Sequence, residues 1–520
     1  MAPRRRSGGE EGEAACRGRC GGGSASPANS DSARRSLLIG LRASARAEIR
    51  EKLDFDVHEP RGRALLAAGA PAVFQAPLRA EGLAAVADIL ERRDGAWFVH
   101  EVKASTRHRA IFDYDLAFQW VVMELAGFPV AGAGVICLDP TYVHPGSEVD
   151  PERLLLREDR TVEVRALLGQ VRREIEQQRA VLARPDMPAA SPWRHCRGDR
   201  KSAAGDRPSD CGHLEREGIC GRMLPEHWAL RLPGLRGGGK EALVRQPPGD
   251  DIRNLDPDDA GPGWTPRQAG VIRAHRDGVE RVDRGALRSA LAHLEWPLCF
   301  VDFEFDPGVA VPRFEGMGPY HPLPFQWAGA VQLDPGGPIE ELEPFLHERP
   351  DDPREPFLRS LLRALPETGP VVVYNAGAES AVLRHYDRRS AAAVWPSAAS
   401  AGDGPLRRFI PWLDGRLAGE AGALRARLFD LLPVAREAYY HPGMRCSWSL
   451  KKLAPALLGA AYEDLAIQDG LEAVRRWRVL VAEETGASER RRRRDDLLAY
   501  CSRDAVLMHR ILERFRAFAA

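Results

Sequence analysis

The C-terminal half of the chain contains one run of apolar residues that two acids interrupt, Leu298-Cys299-Phe300-Val301-Asp302-Phe303-Glu304-Phe305. The apolar positions are typical of a strand buried in a sheet. Residues two apart in a strand share a face, so Asp302 and Glu304 point the same way. The run therefore predicts an α/β region, beginning near residue 291, in which a buried strand carries two acids on one face.

Further polar residues follow this strand in apolar settings. Glu379 comes four residues after Asn375, and Tyr500 and Asp504 lie one helical turn apart on one face. Asp430 is the weaker candidate of the set, and we expect it to open a further strand. The other elements predicted here are strands at 326–333 and 370–374 and helices at 354–364, 466–484 and 495–516.

The order of these motifs resembles the DEDD exonucleases of the RNase H-like fold. In that family D-x-E opens the first strand, a second acid sits four residues after an Asn, and Y-x-x-x-D ends the set. The resemblance implies that four acids bind two divalent metal ions, Mg²⁺ or Mn²⁺: Asp302, Glu304, Glu379 and Asp504. It also implies that Tyr500 orients the attacking water. Glu379 departs from the family, which has Asp there, and an inactive domain that retains the fold is the alternative.

A second acidic constellation is predicted in a hairpin of two strand-like runs, 84–90 and 96–103, which flank a turn signal. Glu101 and Lys103 share a face of the second run, and Asp88 lies across the hairpin. Two carboxylates on adjacent strands can hold Mg²⁺ or Mn²⁺, which polarises a phosphate and acidifies a water that the Lys positions. The alternative is a surface hairpin with solvated charges.

This constellation resembles the RecB-like branch of the PD-(D/E)XK nucleases over about residues 45–185, and Gln119 falls where that branch carries a Gln. The elements predicted here are helices at 113–126 and 161–183 and a strand at 133–138. The resemblance implies that Asp88 and Glu101 bind the metal and that Lys103 and Gln119 are catalytic with them. That branch often has an upstream metal ligand, for which the chain offers two alternatives, His58 and Glu51.

Three cysteines follow the first α/β region, Cys196, Cys211 and Cys220. Thiolates in a reduced cytoplasm indicate a bound metal or an iron–sulfur cluster. Some RecB-like nucleases close their fold with a [4Fe–4S] cluster held by one N-terminal Cys and three later ones, which would make Cys16 or Cys20 the fourth ligand. Zinc, with His195 and His213 nearby, and unligated cysteines are equal alternatives.

The sequence around these motifs in the C-terminal half resembles the bacterial domain-of-unknown-function family numbered 2779. The resemblance is carried by several segments, Pro312-Arg313-Phe314-Glu315-Gly316, Pro319-Tyr320, Pro324-Phe325-Gln326, Tyr440-His441-Pro442, 447–452 and 462–470. Over about residues 70–516 it implies a RecB-like nuclease module followed by a DnaQ-like exonuclease module. The N-terminal Cys helix is not recognisable and the Cys segment carries an insertion. Lys451 and Lys452 are candidates for nucleic-acid phosphate contacts, whereas the run Arg490–Arg494 fits either such contacts or a solvated charge run.

The composition of the chain excludes several classes of protein. The chain has 520 residues, 74 Lys plus Arg against 74 Asp plus Glu, and only six of those basic residues are Lys, so a polybasic coat is excluded while local basic clusters are not. Nine cysteines are too few for a disulfide scaffold, and we expect no membrane span and a cytoplasmic location. The predicted organisation is a disordered tail over 1–40, a nuclease-like domain over 45–190, a Cys segment over 191–225, a helical or linker region over 226–290 and an exonuclease-like domain over 291–520.

These patterns together predict an α/β protein with an N-terminal PD-(D/E)XK restriction-endonuclease-like domain and a C-terminal RNase H-like domain. The expected function is metal-dependent hydrolysis of phosphodiester bonds in nucleic acid. DNA is favoured over RNA by analogy with the RecB-like branch. The alternative is a nucleic-acid-binding or scaffold protein with degenerate sites.

Overall fold

Two six-stranded sheets, one in each half, organise the part of the chain that the structure describes. The structure is a computed structural model, and it describes residues 46–48, 54–186, 226–235, 251–258, 264–386, 415–459, 465–467 and 469–520. The predicted tail over 1–40 and the Cys segment over 191–225 lie outside these residues. The architecture is mixed α/β in both halves, as the sequence predicts.

The first sheet runs in chain order through six strands, β1 (Arg46–Glu48), β2 (Ala72–Ala80), β3 (Leu83–Arg93), β4 (Ala96–Val102), β5 (Val130–Leu138) and β6 (Leu155–Asp159). The β3–β4 hairpin turns at Asp94 and Gly95, which both have positive φ, 50° and 84°. Such a two-residue turn matches the twist of the strands that it joins. The hairpin predicted from the Asp-Gly signal is therefore present.

Helices cover this sheet: α1 (Phe55–Ala67), α2 (Ala110–Leu125), the short α3 (Pro151–Leu154) and α4 (Thr161–Leu182). The core lies between α2 and the sheet, where Leu116, Trp120 and Val121 are buried with Val99 and Val135. Burial of such side chains stabilises the fold by roughly 1.5–3 kcal/mol each. The predicted elements at 113–126, 133–138 and 161–183 correspond to α2, β5 and α4.

The second sheet has the order β10-β9-β8-β12-β13, and β11 pairs with β9. Its strands are β8 (Leu298–Asp306), β9 (Leu323–Gln332), β10 (Ile339–Glu341), β11 (Phe345–Leu346), β12 (Val371–Val373) and β13 (Leu428–Asp430). β9 runs antiparallel to β8, whereas β12 is parallel to β8 and β13 is parallel to β12. The apolar run with two acids thus forms the central strand, flanked on both sides.

Helices complete the second half in chain order, α5 (Pro266–Asp277), α6 (Arg284–Leu291), α7 (Arg354–Ala364), α8 (Gly377–Arg384), α9 (Gly415–Ala426), α10 (Leu431–Ala438), α11 (Leu450–Leu458), α12 (Gly470–Leu480) and α13 (Ala487–Ala519). The long α13 packs on β8 and β9 through Leu507, Met508 and Ile511. A small ribbon pairs β7 (Arg281–Val282) with β14 (Tyr439–Tyr440). Described residues of the predicted helical or linker region, among them Ile272 and Leu287, belong to the same core.

The segment 307–322, between β8 and β9, contacts the first half. The Tyr320 hydroxyl donates a hydrogen bond of 2.6 Å to the Ala104 carbonyl, and the His144 amide donates one of 2.9 Å to the Met317 carbonyl. Ala310 is buried with Leu138, Tyr142 and Leu154. The two halves are therefore packed together through this segment. It leaves β8 close to Glu304.

Candidate functional sites in two acidic clusters

Four acids of the second half form the group that we call the C-terminal cluster, Asp302, Glu304, Glu379 and Asp504. Asp302 and Glu304 project from the central strand β8, and Asp504 comes from α13, which lies across that strand. Glu379 lies in the first turn of α8, directly after the parallel neighbour β12. The topology thus brings together acids that are far apart in the sequence.

Burial dominates the electrostatics of the C-terminal cluster. It raises the pKa of Glu304 to about 8, with a further contribution from the charge of Asp504. The pKa of Glu379 also rises to about 8, from burial and from the charge of Asp430. Burial and the other three carboxylates hold the pKa of Asp302 well above its ordinary value. Like charges in a desolvated site oppose one another's ionisation, so the cluster favours protons or a cation.

Among the described residues, protein donors satisfy little of the charge on Glu379 and Asp302. Glu379 is 3% exposed, and its Oε2 is buried without a hydrogen-bond partner in the described part of the chain. Asp302 receives only the weak thiol donor of Cys501, whose Sγ lies 3.6 Å from Oδ2 and 3.5 Å from the Asp302 carbonyl oxygen. Cys501 is fully buried, and burial holds its pKa well above the ordinary value, so it stays a thiol. Sequence reasoning missed this residue, although it directly follows Tyr500.

Tyr500 contacts Lys451, whose ammonium interacts with the charges of the C-terminal cluster. The Lys451 Nζ donates a hydrogen bond of 2.8 Å to the Tyr500 hydroxyl and lies 4.8 Å from the centre of its ring. The charges of Asp504 and Glu304 act on Lys451, and its predicted contact with nucleic-acid phosphates stays a prediction. Lys452, the other candidate, is exposed, and nothing in the structure tests its predicted phosphate contact.

Asp430 has a structural role in this arrangement. It ends β13 and caps α10, whereas the sequence predicted that it would open a strand. Its Oδ1 accepts the Leu432 amide at 3.0 Å and the Asn375 amide at 2.9 Å. Asn375 has a φ of 71°, a left-handed conformation that Asn tolerates better than most residues. Asp430 therefore fixes the turn that leads into the helix of Glu379.

Two acids of the first half form the group that we call the N-terminal pair, Asp88 and Glu101. Ile89 of β3 pairs with His100 of β4, which sets Asp88 and Glu101 on adjacent positions of the two strands. Asp88 accepts hydrogen bonds from Gln75 Nε2 at 2.8 Å and from the Val102 amide at 2.9 Å. Both acids are enclosed rather than solvated, in contrast to the alternative of a surface hairpin.

Glu101 is neutralised by its own neighbours. Its Oε1 lies 2.8 Å from Lys103 Nζ, and its Oε2 accepts a hydrogen bond of 2.6 Å from Gln119 Nε2. Burial and the charge of Asp88 raise the pKa of Glu101 to about 7, although Lys103 and Gln119 act against this rise. Lys103 also pairs with Asp115 at 2.7 Å, a partner that the sequence did not indicate.

Burial alone would lower the pKa of Lys103, but the charges of Glu101 and Asp115 raise it above its ordinary value. Lys103 is therefore a firmly held cation. The four residues that the sequence grouped here, Asp88, Glu101, Lys103 and Gln119, do lie together. Of the proposed upstream ligands, His58 is buried in α1 with Nδ1 at its helix cap, 2.8 Å from the Asp54 carbonyl oxygen. Glu51 lies outside the described residues.

The two clusters differ in the donors that they offer to a metal ion. Among the described residues, no group of three or more His, Cys, Asp or Glu side chains is placed so that it could hold a metal ion. The C-terminal cluster nevertheless has the right donors, because carboxylate oxygens are what Mg²⁺ and Mn²⁺ prefer. Its unpartnered Glu379 Oε2 and its mutual repulsion are what a cation would relieve. In the N-terminal pair, protein donors already take up that capacity.

The remaining sequence candidates fall into two groups. Cys196, Cys211 and Cys220 lie outside the described residues, as do Cys16, Cys20, His195 and His213, so the cluster or zinc hypothesis is untouched. The run Arg490–Arg494 belongs to α13 and is partly structural. Arg490 donates to the carbonyls of Leu480 at 2.8 Å and Thr485 at 2.8 Å, and Arg494 pairs with Glu348 at 2.9 Å.

Comparison with known proteins gives one match. Residues 299–449 match the family model described as a domain of unknown function (DUF2779). The predicted resemblance to that family is confirmed over this segment, which contains Asp302, Glu304 and Glu379 but ends before Tyr500 and Asp504. No curated protein and no solved structure matches the chain. In the described ranges, no helix is both long enough and apolar enough to span a membrane.

Proposed function

We propose that the chain is a metal-dependent nuclease that hydrolyses phosphodiester bonds in nucleic acid, with DNA favoured, at the C-terminal cluster. One observation carries this proposal. Four carboxylates from three separate elements gather in a buried site, although their charges raise the pKa of Asp302 and Glu304 and the buried Oε2 of Glu379 has no hydrogen-bond partner among the described residues. Such a gathering is unfavourable for the metal-free fold, and carboxylates are the donors that phosphoryl-transfer sites use to hold divalent cations.

The topology supports the RNase H-like interpretation of this half. The two acids of the D-x-E motif stand on a central strand that has an antiparallel neighbour on one side and a parallel one on the other. The last motif lies on the final helix, α13, which crosses that strand. Fold alone does not establish an activity, so the weight rests on the acids.

The residues divide the chemistry between them. Asp302, Glu304, Glu379 and Asp504 would hold Mg²⁺ or Mn²⁺. When bound, the metal would polarise the phosphate and acidify a water. The Tyr500 hydroxyl, which accepts a hydrogen bond of 2.8 Å from Lys451 Nζ, would orient the attacking water. Cys501 and the surrounding apolar wall keep Asp302 desolvated.

For the first half, the structure favours a second candidate function, a PD-(D/E)XK-like module that binds nucleic acid without cutting it. The observation is the internal neutralisation of the N-terminal pair by Gln75, Lys103 and Gln119. A site whose acids already accept protein hydrogen bonds gains less from a metal ion. The open alternative is cleavage at both sites.

The test is cleavage of end-labelled single- and double-stranded DNA by the full chain with Mg²⁺ or Mn²⁺. We expect shortened products that a chelator abolishes, and no products from Asp302→Asn. A matched RNA substrate decides between the two nucleic acids. A chain that degrades none of these substrates, or an Asp302→Asn variant that is as fast as the parent, would remove the proposed site.

A further inference from the structure

Lys451 is a cation at the edge of a cluster that the proposed function assigns to divalent metal. It lies in the first turn of α11, after the N-cap Ser449. A positive side chain there opposes the helix dipole, which favours anions at helix N-termini. Burial also lowers the pKa of Lys451, while the charges of Asp504 and Glu304 favour its charged form. Its position is thus costly for the helix and is matched to the acids.

The contact with Tyr500 gives this position a second consequence. The Nζ-to-hydroxyl distance is 2.8 Å, and the ammonium also lies over the ring at 4.8 Å from its centre. Tyr500 is 3% exposed, so its hydroxyl is held inside the protein, where Lys451 donates to it. One ammonium therefore contacts the tyrosine and borders the carboxylates.

We propose that Lys451 is a built-in counter-ion of the C-terminal cluster, which positions the Tyr500 hydroxyl and competes with the divalent cation for the carboxylates. The inference rests on the proposed function. In the metal-free protein the ammonium offsets part of the negative charge. When a metal ion binds, the two cations repel, so Lys451 weakens metal binding while it keeps the tyrosine oriented. Lys451 is thus a positioning residue that also limits metal affinity.

This double role predicts two effects of opposite sign in Lys451→Met, which keeps the length of the side chain and removes its charge. The Mn²⁺ dissociation constant should fall about tenfold, because one nearby positive charge no longer repels the metal. The kcat for DNA cleavage should fall by roughly tenfold to hundredfold, as for other groups that orient a catalytic residue. A residue with a purely structural role would not produce tighter metal binding together with slower turnover.

The experiment measures Mn²⁺ binding to the full chain by titration calorimetry, and kcat and KM for a labelled DNA strand. Binding that Asp302→Asn abolishes is assigned to the C-terminal cluster. Lys452→Met is the matched control for metal affinity, because this neighbouring Lys is exposed. Tyr500→Phe should lower kcat without changing Mn²⁺ affinity, and Lys451→Met should lower kcat no further in that background.

The outcomes separate the inference from the proposed function. Tighter Mn²⁺ binding in Lys451→Met but not in Lys452→Met supports the counter-ion, even before a preferred substrate is found. Unchanged or weaker Mn²⁺ binding in a folded Lys451→Met overturns the inference and leaves the nuclease proposal standing. If the parent chain binds no Mn²⁺ that depends on Asp302, the proposed function and the inference fail together.

Discussion

The two acidic clusters use the same local pattern and differ in how far protein donors satisfy their acids. In the N-terminal pair, the acceptors of Asp88 and Glu101 are filled by Gln75, Lys103 and Gln119. In the C-terminal cluster, Asp302 receives a weak thiol donor, and a buried oxygen of Glu379 is unpartnered in the described structure. The comparison teaches that acids on a buried strand do not by themselves define a cation site. The hydrogen-bond donors around the acids decide whether a cation is needed there.

The source of the neutralising charge explains the difference. In the N-terminal pair, Lys103 directly follows β4, two residues after Glu101, and pairs with it, so every folded chain has this cation in place. In β8 the side chains around Asp302 and Glu304 are apolar. The counter-charge there is Lys451, which comes from a distant helix and contacts Tyr500. An ion pair between residues two apart in the sequence is hard to displace. A counter-charge that comes from a distant helix can be exchanged for a metal ion.

The largest expected difference is in activity. Asp302→Asn should reduce metal-dependent cleavage by roughly a hundredfold or more, since even outer partners of metal ligands are worth about 10–100-fold. Glu101→Gln should retain most of the cleavage, because the N-terminal pair is already neutralised. Both variants are assayed on the same labelled DNA. Equal losses would mean that both clusters cut and would break the contrast.

A pH titration of unfolding should show the next largest effect. The folded pKa values of Glu304 and Glu379, about 8, exceed the ordinary value of 4.5, so the folded state holds more protons between these limits. The contribution of these two groups to the metal-free stability should therefore be fully present below about pH 4.5 and be lost as the pH rises towards 8, by up to about 1.4 kcal/mol per pH unit for each group.

Denaturant unfolding at pH 5 and pH 8, with and without Mg²⁺, checks this prediction. If Mg²⁺ binds the C-terminal cluster as proposed, it stabilises the folded state and should flatten the pH dependence. Glu101→Gln removes only the contribution of the N-terminal pair, whose Glu101 titrates near 7, and so should leave most of the slope. A stability that rises from pH 5 to pH 8 in the metal-free protein would contradict the raised pKa values.

Amide substitutions should change stability in opposite directions in the two clusters. Glu101→Gln removes a charged acceptor from Lys103 and should cost about 1–3 kcal/mol. Asp302→Asn relieves repulsion and should stabilise the metal-free protein at pH 8 by about 0.5–2 kcal/mol, the range of stabilising changes at functional sites. Urea unfolding of both variants measures the two signs. If both destabilise, the C-terminal cluster is as well satisfied as the N-terminal pair.

The smallest effect concerns acids that serve the backbone. Asp430, like Asp88, accepts a backbone amide, and it holds the turn at Asn375. Asp430→Ala should cost about 1 kcal/mol through the lost helix cap. Asp430→Asn retains an acceptor and should cost less. Thermal unfolding of the pair checks this, and equal losses would show that charge, rather than the acceptor, matters at this position.

Local signals in the sequence predicted much of the fold. The turn at Asp94 and Gly95, the apolar run of β8 and the periodicity of α2 depend on neighbouring residues alone. α12 begins only at Gly470, because Asp469 caps it, and α13 begins at Ala487, earlier than expected. There Arg492 and Arg493 both pair with Glu489 within the helix, so the charge run extends the helix instead of ending it.

The candidate sites were predictable only in part. The spacing of acids indicated which carboxylates face one way, and the structure brings them together. Lys451 at Tyr500, Asp115 at Lys103 and Gln75 at Asp88 could not be found, because each contact joins elements whose relative position the sequence pattern does not encode. For Cys501 the sequence offered one signal, its position directly after the motif residue Tyr500. Its meaning depends on α13 crossing β8.

Substitutions in the segment 307–322 should affect both halves of the chain. The Tyr320 hydroxyl donates a hydrogen bond to the carbonyl of Ala104, the residue after Lys103. The same segment follows β8, the strand that carries Glu304. A lesion here disturbs the supports of two distant clusters at once, whereas a lesion inside either cluster disturbs only its own. In a random screen for loss of function, this segment is expected to be pleiotropic, with one substitution giving two phenotypes.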